Sequence, residues 1–152
     1  MCSGDFACDY ATLSCALGYG TTWGVTPTFV SVPSLDSTGS AWDAFGGAPD
    51  LKVCFVVGDA TATPSCTGEA TDVFSSTFTG GPTVTATPAE FAAFFGVFVY
   101  DVDVSSDDII GGCTHTFDPW SALPTTEQTM DCLASASFGY AGFTVHYRLA
   151  PY

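Results

Sequence analysis

Asparagine is missing altogether and positive charge nearly so: two Lys and Arg residues, Lys52 and Arg148, stand against 16 Asp and Glu, for a formal net charge of −14. Without asparagine there is no acceptor for N-linked glycosylation. A chain this poor in cations cannot displace the counterions of a phosphate backbone, which excludes nucleic acid as a partner. It also lacks the polybasic face needed for simple electrostatic attachment to anionic lipid. Long apolar runs are absent. The longest, Phe91 to Tyr100, is about ten residues, against roughly 20 for a spanning helix. Catalytic signatures are equally scarce. There is no Gly-x-Ser-x-Gly elbow, phosphate loop, dinucleotide fingerprint or His-Glu-x-x-His. The two histidines, His115 and His146, sit in alternating strand patterns. The chain therefore reads as a binding module and not an enzyme.

What is present points to strands. Thirteen Phe, six Tyr and three Trp accompany abundant Val and Thr, while runs of good helix formers are nearly lacking. Aromatic and β-branched residues suit a pleated, half-buried surface, and the 16 Gly and nine Pro supply turns. The expected class is an all-β sandwich, with one domain over 25–152 and a cysteine-bearing lead-in over 1–24. Thr26–Val32, Leu51–Val57 and Gly142–Leu149 read as strands. Pro27 is expected at an edge or a strand end. Short strands over 70–78 and 83–87 are split by Gly80-Gly81-Pro82. Pro88 opens a helical turn or two that leads into the buried strand 94–100.

Seven cysteines in 152 residues imply an oxidising compartment, and so an extracellular, cell-surface or periplasmic location. Cys54 and Cys66 flank a turn at Gly58-Asp59 and are expected to pair across a hairpin. Cys132 is the natural partner of Cys113. In the lead-in, Cys8 with Cys15 is the simplest arithmetic, leaving Cys2 over. Met1-Cys2-Ser3-Gly4 shows no signal peptide, and a cysteine so placed is a candidate lipoprotein anchor. Zinc does not fit the first three cysteines, which have no histidine nearby and no common ligand spacing.

Function concentrates in Tyr100–Gly112, YDVDVSSDDIIGG. Asp101, Asp103, Asp107 and Asp108 follow a buried strand within eight residues, and Gly111-Gly112 is expected to turn the chain. Like charges so crowded need a counter-charge. Hard oxygen ligands in that number suit calcium, which takes about six to eight. An EF-hand does not fit, because Ser106 stands where glycine is required and Gly112 where the closing Glu should be. A second acidic loop, Trp42 to Asp50, carries Asp43 and Asp50 around Ala44-Phe45-Gly46-Gly47-Ala48-Pro49.

Taken together the two loops resemble those of the C2 domain, a calcium-dependent β-sandwich. Asp43 and Asp50, followed by Leu51-Lys52-Val53, are similar to its first loop. Asp101-Val102-Asp103 and then Asp108-Ile109-Ile110-Gly111 are similar to its third. The likeness runs over roughly 26–113. It departs from the family where Asp50-Leu51-Lys52 lacks a Pro-Tyr pair and where the lysine-rich strand used for phosphoinositides is missing. The resemblance implies an eight-stranded antiparallel Greek-key sandwich. It also implies side-chain calcium ligands at Asp43, Asp50, Asp101, Asp103 and Asp108, with Asp107 and Ser105 supplementary and the Val102 carbonyl as a backbone ligand. Phe45 and Val104 are candidate membrane contacts at the loop tips. The expected partners are calcium ions and a phospholipid membrane or surface protein. The alternative is a structural or adhesive sandwich in which calcium only rigidifies loops.

Overall fold

The computed structural model describes residues 6–9, 14–17, 21–42, 47–103, 107–118 and 123–152. The cysteine-bearing lead-in forms an antiparallel hairpin of β1 (Phe6–Asp9) and β2 (Ser14–Leu17), whose register sets Cys8 directly opposite Cys15. The expected Cys8–Cys15 bond rests on side chains outside the described part of the structure, and Cys2 lies outside the described residues.

Beyond it come β3 (Trp23–Ser31), β4 (Leu51–Val57), β5 (Ser65–Cys66), β6 (Ser75–Thr77) and β7 (Val84–Ala86). A short helix α1 (Pro88–Ala93) leads into β8 (Phe95–Asp101), and then follow β9 (Asp108–His115), β10 (Gln128–Cys132) and β11 (Phe143–Pro151). One antiparallel sheet runs β10-β11-β3 and ends on a lane shared by β6 and β7; the other runs β5-β4-β8-β9. Because β6 pairs with Phe29–Ser31 and β7 with Trp23–Val25 of the same strand, they are two halves of one interrupted lane. The sandwich therefore has the eight lanes expected, one of them broken at the Gly80-Gly81-Pro82 insertion.

Alternation writes the core. Val25 and Val30 from β3, Leu51, Val53 and Phe55 from β4, and Phe95, Val97 and Val99 from β8 are each fully buried. Valine, leucine and phenylalanine side chains contribute about 1.5–3 kcal/mol each on burial, so these alternate positions fix the register. At the end remote from the acidic loops an aromatic cluster closes the core. Phe95 lies 5.3 Å from both Phe117 and Tyr147 and 5.7 Å from Phe55. A capping box starts α1: the Thr87 hydroxyl accepts from the Glu90 N–H, and the Glu90 carboxylate accepts from the Thr87 N–H at 2.7 Å.

Two expectations are overturned. Pro27 sits in the middle of a central strand, not at an edge or end. The register against β11 slips between His146 and Tyr147, passing over Thr28, and on the other side Pro27 faces the gap between β6 and β7. A bulge beside a gap asks no ladder hydrogen bond of the proline nitrogen. Gly111 and Gly112 do not turn the chain; they lie within β9, opposite Val99 and Phe98. Their role is clearance. A Cβ on Gly112 would stand 2.4 Å from Phe98 Cδ1, and one on Gly111 would stand 3.1 Å from Phe143 Cδ1.

Two disulfides form as expected. Cys54–Cys66 joins β4 to β5 within one sheet, and Cys113–Cys132 joins β9 to β10 across the two.

Candidate metal centre

The strand ends bring the acids together. β4 begins at Leu51, β8 ends at Asp101 and β9 begins at Asp108; Leu51 pairs with Asp101, and Asp101 with Asp108. Both acidic loops therefore leave the same end of the same sheet. Asp101 is 3 % exposed, the one buried charged residue among those described. Its Oδ1 accepts the Asp50 N–H at 2.8 Å, and the Val102 N–H returns a bond to the Asp50 carbonyl at 2.9 Å. Asp50 and Asp101, 51 residues apart, are thus locked side by side.

A third segment joins them that sequence reasoning missed. Leu51 and Ala70 exchange backbone hydrogen bonds of 2.8 and 2.9 Å. This carries Asp72 to the site, where its N–H donates to Asp50 Oδ1 at 2.6 Å and its own carboxylate accepts the Ala48 N–H at 3.0 Å. Asp72 holds a left-handed backbone, φ 53°, a conformation that aspartate tolerates better than most residues. A lone Asp in Ala70-Thr71-Asp72 carries no local signal. Only the pairing of 70 with 51, which is tertiary, could have revealed it.

The remaining acids are more open. Asp103, Asp107 and Asp108 are exposed. Lys52, opposite Tyr100 in the register, reaches across β8 to Asp107 Oδ2 at 2.7 Å. Burial first, and then the neighbouring Tyr140 and Asp107, push the Tyr100 phenol above its ordinary pKa. The acids at this end are many, and Asp107 is the one shown with the Lys52 ammonium. Asp101 and Asp108, directly opposite in an antiparallel pair, repel at the closest spacing a sheet offers.

Asp43, Phe45, Val104 and Ser105 lie outside the described residues. Among those described, no group of three or more Asp, Glu, His or Cys side chains converges closely enough to hold a metal ion. Hydrogen bonding accounts for this, since Asp50 and Asp72 each accept a backbone N–H and Asp107 turns to Lys52. The donor chemistry nonetheless fits a hard cation. Carboxylate oxygens are the ligands calcium prefers, and a carboxylate has about four lone-pair positions, so one N–H bond does not exhaust it.

Neither a protein-family model nor a curated protein matches the sequence. Solved structures do resemble it. A C2 domain superposes with a TM-score of 0.57 at 18% identity, covering 86% of this chain and 96% of the other. The C2A domain of a plant extended synaptotagmin 1 gives 0.61 at 13%, covering 87% and 95%. The chain has the C2 fold. A third likeness is to extended synaptotagmin 2, C2A and C2B domains, in a calcium-bound form, with a TM-score of 0.56 at 12% identity; the coverage is 86% of this chain and 45% of that one. In this C2 fold, the strand ends that carry Asp50, Asp101 and Asp108 are the ones the two-loop resemblance singled out.

Proposed function

We propose that this C2-fold protein is a calcium-binding module acting outside the cell or at its surface, and not an enzyme. The observation that carries the reading is the meeting of Asp101 with Asp50 and Asp108 at one sheet end. A buried carboxylate there lies opposite a like charge in the strand register. Asp50 and Asp101 would form the fixed part of the site. Asp43, Asp103, Asp107, Asp108 and the Val102 carbonyl would complete it from the two loops. A bound calcium ion would supply divalent positive charge that cancels the mutual repulsion of these groups. The chain's own part is to hold Asp50 and Asp101 in place through the 2.8 Å N–H bond and to offer carboxylate and carbonyl oxygen donors. Two disulfides support the oxidising location. An extracellular site works at weak affinity, on the order of 10⁻⁴ to 10⁻³ M.

Calcium titration by calorimetry tests this. Wild type should give a saturable heat that Asp101→Asn with Asp103→Asn abolishes. At a hundredfold excess over Kd, calcium should add about 2.7 kcal/mol to stability, with a matching rise in melting temperature. A flat titration and an unchanged melting curve in millimolar calcium would overturn the reading.

The 2.7 Å Lys52–Asp107 contact favours a second reading. Part of the counter-charge comes from the chain itself, so calcium would only stiffen the loops of an adhesive sandwich. Vesicle binding separates the two: calcium uptake with no calcium-dependent lipid association favours adhesion.

A further inference from the structure

The two disulfides among the described residues stand in different surroundings. Cys113–Cys132 joins a half-buried cysteine to one that is 5 % exposed. Cys54–Cys66 joins a buried cysteine to an exposed one, the latter on a strand of two residues at the margin of its sheet. In the register Cys54 and Cys66 stand directly opposite each other. The chain that leads up to β5, residues 59–64, is mostly exposed. A thiol can therefore approach the Cys66 side of the bond without parting the sandwich. Exposed disulfides are the ones that exchange, and buried ones resist.

Cys66 opens a run of chain that is zipped along β4 to the candidate metal centre. The Thr67 N–H donates to the Val53 carbonyl at 2.8 Å, and the Thr67 hydroxyl accepts the Val53 N–H at 3.1 Å. Ala70 and Leu51 exchange backbone bonds of 2.8 and 2.9 Å, and the Val73 N–H reaches the Pro49 carbonyl at 3.0 Å. At the far end the Asp72 N–H holds Asp50 Oδ1 at 2.6 Å. The sulfur bond thus stands at the start of the run, and the residue that fixes Asp50 at its end. β4 itself does not depend on this run, because on its other side all seven of its residues pair with β8.

Resting on the calcium reading above, we infer that Cys54–Cys66 is a thiol–disulfide exchange site for a dithiol reductant, and that its state sets how firmly the candidate metal centre holds calcium. One thiolate of the reductant attacks the Cys66 sulfur. The Cys54–Cys66 bond breaks, its electron pair stays on the Cys54 sulfur, and that sulfur takes up a proton. The second thiol of the reductant then attacks the reductant's own sulfur in the mixed disulfide and releases Cys66 as a thiol. Two electrons and two protons have passed to the protein, and the reductant has become a disulfide. Opening the bond releases the loop closed between residues 54 and 66, and conformational freedom returns to the start of the zipped run. Asp50 is then less firmly placed. Calcium must order the site as it binds, and affinity falls.

The test treats wild type with graded dithiothreitol and compares it with Cys54→Ala/Cys66→Ala, which imitates the opened bond. After each step, alkylation in denaturant mapped by mass spectrometry should find Cys54 and Cys66 reduced at a lower dithiothreitol concentration than Cys113 and Cys132. The variant, and wild type reduced at that pair, should keep a cooperative melt. Both should bind calcium about fivefold more weakly or worse in a calorimetric titration, with faster amide exchange at Ala70, Asp72 and Val73. Reduction of both pairs together, or of Cys113–Cys132 first, overturns the inference. So does a calcium Kd that equals or betters that of the oxidised protein, and so does loss of the cooperative melt, which would make the bond a structural staple only. If oxidised wild type takes up no calcium, the calcium reading fails by itself. Faster exchange at Asp72 then upholds the exchange site and its hold on this run, and unchanged exchange sinks both.

Discussion

Asp101 shows how a single carboxylate can organise a candidate site. It is buried and accepts a backbone N–H from Asp50, so its negative charge is part of how two distant loops find each other. Lys52 is its counterpart. With side chains 25% and 40% exposed, the Lys52–Asp107 pair is worth only about 0.2–1 kcal/mol. Its larger effect is competition, because an ammonium bound at Asp107 must be displaced or share that oxygen when a metal ion arrives. Lys52→Met should therefore tighten calcium binding in a calorimetric titration while lowering the melting temperature only slightly. A weaker affinity would mean that Lys52 positions Asp107 for the ion.

At this scale the sequence was legible where chemistry repeats locally. Asp-x-Asp after an apolar strand marked Asp101, and Asp50 stood out by its place before Leu51; these two the structure sets side by side. Asp72 was not legible, because what makes it matter is a hydrogen bond to a residue 22 positions away. The cluster's side-chain directions were equally hidden. A row of aspartates does not tell that one will accept from an amide and another from a lysine.

Among the elements, strands with strict alternation were readable and those with glycine were not. Leu51–Val57 was expected and forms as such. Gly111-Gly112 was expected to turn the chain, but both lie inside β9, which begins at Asp108, because they make room for the rings of Phe143 and Phe98. Pro27 misled for a related reason: its missing donor is harmless at a bulge. The β10–β11 loop depends on a glycine of the other kind. Gly142 has φ 82°, and a Cβ there would lie 2.8 Å from both the Ala134 nitrogen and the Cys132 carbonyl oxygen. Neither is a flexible side-chain end that could swing away. Gly142→Ala should cost at least about 1–2 kcal/mol from the left-handed backbone alone, seen as a lower midpoint in urea. An unchanged midpoint would show that the loop can re-form around an alanine.

For the molecule as a whole, Tyr147 makes stability depend on alkaline pH. It is 1% exposed, and burial pushes its phenol up from 10.0 to about 12. The unfolded chain loses this proton near pH 10 while the folded one keeps it, so the unfolded state binds fewer protons over that interval and stability falls as pH rises. Denaturant midpoints should hold steady up to pH 10 and then decline toward pH 12, by on the order of 2–3 kcal/mol at about 1.4 kcal/mol per unit. In Tyr147→Phe that part of the decline should vanish; a slope equal to wild type would assign it to other groups. The overall class was visible in composition, since aromatic and β-branched residues with frequent turns leave few alternatives to a sandwich. What composition could not supply was which strand ends face the same way, and that is what brings scattered acids to one end.

The Cys113–Cys132 bond joins β9, the margin of one sheet, to β10, the margin of the other. Among the described residues the two layers are therefore joined by a disulfide along this side, like pages at a spine, while β5 and the broken β6/β7 lane form a fore-edge held by backbone hydrogen bonds. Thermal opening should start at that fore-edge, with amide exchange and proteolytic nicks appearing there first, and the sutured side should hold after the opposite margin has begun to part.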